Sequence, residues 1–252
     1  MRTTALVMAL VATLPLSACG EDADGSDGVR LTVLAAASLT EPFTTIAEAF
    51  EAGHDGVTVE LAFDSSATLA QQVVDGAPGD VLATADAATM RTAVDAGAVA
   101  DGPEVFATNV AVLVTPAANP AGITSIADLD DSAVTYVACV DSAPCGTVAA
   151  ALLEAAEVSH PPASLEVDVK AVLARVTSDE ADAGIVYATD AVTAGDAVTA
   201  FEIDGADAHR NAYPIATLEQ SAHSDLAGEF LDYVRSADGR RALSEAGFGG
   251  VG

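Results

Sequence analysis

From Val29 onward the chain alternates short β-branched apolar runs with longer Ala-rich segments whose apolar residues recur every three to four positions. These are the signatures of strands and amphipathic helices. The pattern predicts strands near 30–36, 57–63 and 80–84 and helices near 40–52, 66–75 and 86–96, which make one compact α/β unit. The apolar stretch 106–116 predicts a single extended strand, and 126–129 opens a second unit. That unit has strands near 133–140, 165–169 and 183–187 and helices near 146–157 and 169–178. After a polar turn at 204–211, a strand at 213–218 and a helical run over 224–246 end the chain, with Leu226, Phe230 and Val234 on one face of the segment 224–235. Alternating strands and helices call for an α/β fold with mostly parallel sheets. A helical tail without a sheet of its own implies that the chain leaves the first unit and later returns to it. The expected architecture is two lobes around a cleft, with 29–107 and 214–252 in lobe 1 and 108–213 in lobe 2.

Several strand-to-helix junctions carry small residues and hydroxyls. In LTVLAAASLTE, residues 31–41, a buried strand runs into a helix with Ser38 at the joint, Thr40 as the expected N-cap, and Glu41 and Pro42 in the first turn. At 63–69, FDSSATL, Ser66 is the expected N-cap. Small residues precede a helix again at Pro144-Cys145-Gly146, and a similar junction lies at Asp168-Val169-Lys170. Helix N-termini offer unpaired N–H groups and the positive end of the helix dipole. In α/β lobes such junctions lie at the carboxyl ends of strands, where ligands bind. Two facing lobes would therefore aim several helix N-termini into one cleft, a seat for a small ionised oxyanion held by neutral donors.

The N-terminus sets the compartment. Arg2, an apolar run from Ala5 to Leu16 and the box Leu16-Ser17-Ala18-Cys19 read as a bacterial lipoprotein signal over 1–18, with Cys19 as the lipidated first residue of the mature chain and 19–28 as a polar tether. The sequence carries nine Lys and Arg against 38 Asp and Glu, a net charge of −29 that becomes −30 once Arg2 leaves with the signal. That balance excludes nucleic acid and anionic lipid surfaces as partners. The chain is nonetheless 51% hydrophobic, as a folded protein with an acidic surface would be. With Cys19 assigned to the lipid, Cys139 and Cys145 remain as an even pair in an oxidising compartment, and a disulfide closing a small loop is expected. No His or further Cys accompanies them, so neither a metal site nor a cofactor is expected.

AAASL at 35–39, SSATLAQQVVDGAPGDVLATAD at 65–86, PCG at 144–146 and GIVYATDA at 184–191 are similar, in order and spacing, to the molybdate-binding proteins of bacterial ABC transporters. The resemblance covers 29–252. It implies the two-lobed periplasmic-binding-protein fold of type II, molybdate or tungstate bound between the lobes as an oxyanion, and delivery of that anion to a membrane permease by a lipid-anchored, extracytoplasmic monomer. Position by position, it implies that Ser38 and Ser66 donate from lobe 1, and that Cys145 and Val169 donate backbone N–H groups and Tyr187 a hydroxyl from lobe 2. The sequence departs from the family pattern at Asp64, a carboxylate where a small neutral residue is usual, and its side chain is expected to point away from the anion. Cys145 stands where the family has a small residue, and a bridge to Cys139 would brace that loop.

Two other readings compete. A serine hydrolase would need a G-x-S-x-G elbow or a His placed beside Ser38 or Ser66, and the sequence has neither. A binding protein of the same fold for sulfate or another small oxyanion fits the same residues. The scattered His54, His160, His209 and His223 read as structural, and Asp86 and Asp190 as helix caps.

Overall fold

The computed structural model describes residues 28–251, so the expected signal, the expected lipidation at Cys19 and the expected tether up to residue 27 lie outside the described residues. The first unit folds as predicted in order: β1 (Val29–Ala36), α1 (Thr40–Ala52), β2 (Val57–Asp64), α2 (Ser66–Val74), β3 (Val81–Ala83) and α3 (Ala87–Asp95). β4 (Glu104–Asn109) and β5 (Ala111–Pro116) follow, then β6 (Tyr136–Cys139), α4 (Pro144–Ala155), β7 (Ser164–Glu166), α5 (Val169–Thr177) and β8 (Ala183–Tyr187). The last elements are α6 (Ala188–Ala194), β9 (Val198–Glu202), β10 (Asn211–Thr217), α7 (Ser224–Arg235) and α8 (Ala237–Glu245).

Two five-stranded sheets result, ordered β2-β1-β3-β10-β4 and β7-β6-β8-β5-β9. In the first, β1 runs parallel to β2 and β3, while β10 runs antiparallel to β3 and β4. The second repeats that scheme, with β6 parallel to β7 and β8 and β5 antiparallel to β8 and β9. The sheets are mixed, as expected, because each strand entering from the other lobe runs against its neighbours.

Both faces of each sheet are covered, as parallel strands require. Helices α1, α7 and α8 bury Phe43, Phe50, Phe230 and Leu243 on one face of the first sheet, where Phe50 and Phe230 meet edge to face at 5.2 Å. Leu69, Val73 and Met90 of α2 and α3 fill the other face against Leu34 and Leu82. In the second lobe, α4 packs Val148 and Leu152 against Leu113 and Ile185, and α5 packs Val172 and Val176 against Val114 and Val137.

Four local expectations are corrected. The stretch 106–116 is two strands in different sheets, because the Asn109 side-chain oxygen accepts the Val110 N–H (3.0 Å) and takes it out of the ladder. The helical run 224–246 breaks at Ser236, whose extended backbone and Oγ cap α8 at the Gly239 N–H (3.2 Å). Thr40 is the first helical residue rather than the cap: a 3₁₀ turn at Ala37–Leu39 precedes α1, and Thr40 Oγ1 donates back to the Ala37 carbonyl (2.7 Å). Ser65 rather than Ser66 occupies the N-cap of α2, since the Ser66 hydroxyl is engaged elsewhere. The sequence reading also missed α6 and β9. The former is a seven-residue helix carrying Thr189, Val192 and Thr193, and the latter a half-exposed edge strand; both lack a strong periodic signal.

Phe230 is fully buried among aromatic rings, so Phe230→Ala should destabilise lobe 1 by about 3–5 kcal/mol. Urea unfolding should show this as a lower midpoint at unchanged slope.

Candidate functional site

The parallel strands β1, β2, β3, β6, β7 and β8 end on the facing edges of the two lobes, where a small cavity lies between the sheets. It is lined by Ala36, Ala37, Ser38, Asp64, Ser65, Ser66 and Ala85 from one side and by Ala143, Pro144, Cys145, Asp168, Val169 and Tyr187 from the other. All five sequence-predicted site residues therefore surround one space. Ser38 follows β1, Ser66 follows β2, Cys145 and Val169 open α4 and α5, and Tyr187 ends β8. About 20 Å³ is open there to the centre of a water-sized sphere, somewhat more than a single water needs. The dimensions admit a small ion. None of the four histidines and no Lys or Arg is among the lining residues.

The backbone presents hydrogens to this space. No side chain caps α2 or α4; in α4 Pro144 has no N–H and the Gly146 N–H turns back to the Ala143 carbonyl (2.9 Å), which leaves the Cys145 N–H without a partner within the helix. Pro144 begins α4 with a fixed φ, and Gly146 lets the turn close: a Cβ there would lie 1.9 Å from the Val140 carbonyl oxygen. The expected disulfide joins Cys139, the last residue of β6, to Cys145 in the first turn of α4. It therefore ties a cavity-lining helix start to the sheet.

Two carboxylates also line the cavity. Asp64 is among the residues around the space, and its Oδ1 turns back to accept the Ser65 N–H at 2.6 Å beside the start of α2. Asp168 caps α5 through the Ala171 N–H (2.9 Å). Asp86 caps α3 through the Thr89 N–H (2.7 Å), as expected.

The site hydroxyls rest on a buried polar network that the sequence reading did not find. Ser66 Oγ accepts the Ala85 N–H (2.9 Å), and Ser38 Oγ lies 2.9 Å from Tyr213 Oη. Asn211 Nδ2 reaches both the Ala85 carbonyl (2.8 Å) and Tyr187 Oη (3.0 Å), while Asn109 Nδ2 reaches Thr189 Oγ1 (2.8 Å) and Tyr213 Oη (3.4 Å). Asn109 and Asn211 face each other across β4 and β10, where the chain crosses between lobes. Burial pushes the Tyr187 and Tyr213 phenols well above their ordinary range and keeps them protonated.

At the rim, Lys170 spans the lobes. Its ammonium contacts both Glu41 carboxylate oxygens, at 2.8 and 2.7 Å, and stands 3.3 Å from Asp190 Oδ1. Asp190 is fully buried; Oδ2 accepts the Tyr187 N–H (3.1 Å), whereas Oδ1 faces Lys170 without the alignment of a hydrogen bond. Burial outweighs the Lys170 charge and pushes the Asp190 carboxyl up to about 6.

A carboxyl raised by folding makes the native state bind a proton up to pH of about 6, against an ordinary value of 3.8. Ionised Asp190 therefore opposes folding above about pH 6, and the penalty fades as pH falls toward 4. Asp190→Asn should be more stable than the parent chain at pH 7.5, and the difference should shrink by pH 4.5 in paired urea titrations.

Comparison with known proteins places these features in a family. The family model described as bacterial extracellular solute-binding protein matches residues 31–249. The chain is 40% identical over 253 residues to the molybdate-binding protein ModA of Mycobacterium tuberculosis, covering 98% of this chain and 97% of that relative. Among solved structures, the substrate-binding domain of a putative molybdenum ABC transporter from Clostridium difficile superposes with a TM-score of 0.67 at 27% identity, over 89% of this chain and 100% of that one. The periplasmic molybdate-binding protein of Azotobacter vinelandii superposes with a TM-score of 0.74 at 18% identity, over 86% and 98%, and supports the two-lobed fold. The cleft, the helix starts that face it and the similarity along the whole described chain lead to one statement: the chain belongs to the bacterial extracellular solute-binding protein family.

Proposed function

We propose that this chain binds molybdate or tungstate in the inter-lobe cavity and delivers the anion to an ABC-transporter permease. The carrying observation is a cavity of ionic size lined by hydroxyls and helix N-termini, with no cationic side chain among its lining residues. Ser38 and Ser66 would donate through hydroxyl and backbone N–H, Tyr187 through its hydroxyl, and Cys145 and Val169 through their N–H groups. Each hydrogen bond to a charged group contributes about 1.5–3 kcal/mol, so about six exceed the ~8 kcal/mol of micromolar binding even after closure and desolvation. Binding makes or breaks no covalent bond, and the reading includes no cofactor and no free metal cation.

Membership of this family puts the chain outside the cytoplasm. The finer reading is a monomer anchored through a lipid on Cys19, from which the cleft can reach a permease in the same membrane. Selectivity follows from size and from hydrogen-bond polarity. Sulfate has the right charge but shorter bonds, while a protonated phosphate brings an O–H that needs an acceptor.

The thermal midpoint of residues 27–252 with each anion at a hundredfold excess over Kd tests this reading. Linkage then contributes about 2.7 kcal/mol, or roughly 5–11 °C. Molybdate and tungstate should give that rise, sulfate and phosphate should not, and Ser66→Ala should shrink it. Equal rises with sulfate would assign the site to a different oxyanion, and no rise with any of them would defeat the reading. Replacing both Cys139 and Cys145 by Ser should lower stability by only about 2 kcal/mol, the loop being short, while calorimetry should register a proportionally larger loss of molybdate affinity.

A further inference from the structure

Lys170 stands between two carboxylates at the rim and serves them unequally. From the first turn of α5 it donates to both oxygens of Glu41, at 2.8 and 2.7 Å, and Glu41 lies in the first turn of α1 in lobe 1. Asp190, in the first turn of α6 in lobe 2, has its Oδ1 3.3 Å from the same ammonium. Two of the three ammonium hydrogens are committed to Glu41, and the third is not aligned with Asp190. Among the described residues, Asp190 Oδ1 is the one buried side-chain nitrogen or oxygen with no hydrogen-bond partner. Lobe 1 packs over the start of α6: Thr189 Oγ1 accepts from Asn109 Nδ2 at 2.8 Å, and a Cβ added at Gly247, just beyond α8, would lie 3.2 Å from Val192 and 3.7 Å from Thr189. The remaining titratable groups that face Asp190 are the phenols of Tyr187 on β8 and Tyr213 on β10, both protonated. A fully buried carboxylate short of a hydrogen bond is costly to keep ionised, and the cost depends on where the Lys170 hydrogens point.

We propose that Lys170 is a positioning residue exchanged between two carboxylates as the lobes move: closed over the anion it belongs to Glu41, with the lobes apart it belongs to Asp190, and closure therefore takes up a proton at Asp190. This rests on the oxyanion reading above and adds a control to it, a dependence of anion affinity on pH. The sign follows from the geometry. Parting the lobes takes Glu41 away from Lys170, turns the ammonium onto Asp190 Oδ1 and opens the start of α6 to water; both changes favour the ionised carboxyl. Closing reverses them, in keeping with the burial that pushes the Asp190 carboxyl up to about 6 in this arrangement. The closed form then binds more protons than the open one near pH 6, so affinity rises as pH falls through that value and is level above about pH 7. Tyr187 joins this exchange to the ligand site, since Asp190 Oδ2 holds its N–H at 3.1 Å and its side chain lines the cavity.

Calorimetry of molybdate binding at pH 6, run in buffers of different ionisation enthalpy, counts the protons. The parent chain should take up about 0.4–0.5 proton per anion, and its affinity should rise about three- to fourfold from pH 7.5 to pH 5.5. Asp190→Asn keeps an oxygen for the Tyr187 N–H but cannot titrate, and it should abolish both the uptake and the pH slope. Glu41→Gln leaves Lys170 with Asp190 in either lobe arrangement. It should cut the uptake by at least about half and weaken binding at pH 7.5 about two- to fivefold, the worth of a half-exposed ion pair. Because Glu41 is at the surface, this variant carries the test even where Asp190→Asn does not fold. Uptake that persists undiminished in Asp190→Asn belongs to another group, such as Asp64 or Asp168 of the cavity lining, and would overturn the inference. Uptake unchanged in Glu41→Gln would overturn it as well, since burial alone then sets the proton on Asp190. The parent titration separates the two claims: molybdate binding without proton uptake defeats the exchange alone, and a parent chain that binds neither molybdate nor tungstate defeats the oxyanion reading with it.

Discussion

A dianion can be held out of water without a cationic side chain only where many hydrogen-bond hydrogens converge on it, and the anion site proposed for this chain rests on that constraint. Backbone N–H groups converge where helices begin, and helices begin at the carboxyl ends of parallel strands. Two lobes, each with three parallel strands ending toward the other, therefore bring the starts of α2, α4 and α5 and the 3₁₀ turn after β1 to one small space. The carboxylates at that edge are each engaged by a backbone N–H, Asp64 by that of Ser65 and Asp168 by that of Ala171. The single lysine of the sequence sits outside the lining and pairs with Glu41 of the other lobe.

Much of this was legible in the sequence because it is local. A strand followed by small residues, a hydroxyl and a helix is a contiguous pattern, and it located Ser38, Ser66, Cys145 and Val169 at strand ends. Tyr187 came only from the family resemblance, since a tyrosine closing a buried strand has no local mark that separates a ligand from a core residue. What failed locally failed where a side chain overrode the pattern. Asn109 Oδ1 removes the Val110 N–H from the ladder and turns one apolar run into two strands of different sheets. Ser66 binds the distant Ala85 N–H in place of its own helix, and Ser65 takes the cap position.

The supporting network was not legible at all, for a physical reason. Asn109 and Tyr213 meet across 104 positions, and Ser38 and Tyr213 across 175, so no window of sequence contains the contact. Asn109 and Asn211 belong to apolar strands in which one polar residue looks like an edge or a turn. A buried asparagine whose every hydrogen is placed, however, is costly unless satisfied, and a satisfied one specifies direction as well as position. The cavity residues are visible as residue types, whereas the partners that support them are visible only in the structure.

The central claim is that one tetrahedral oxyanion sits between the lobes, held by donors alone. Crystals of residues 27–252 grown with molybdate and measured on either side of the molybdenum absorption edge test it most directly. The account predicts one anomalous peak per chain in the cavity, with oxygens within hydrogen-bond distance of the hydroxyls of Ser38, Ser66 and Tyr187 and the N–H groups of Cys145 and Val169. A peak elsewhere on the surface, or an anion paired with Lys170 or an arginine in place of those donors, would contradict it.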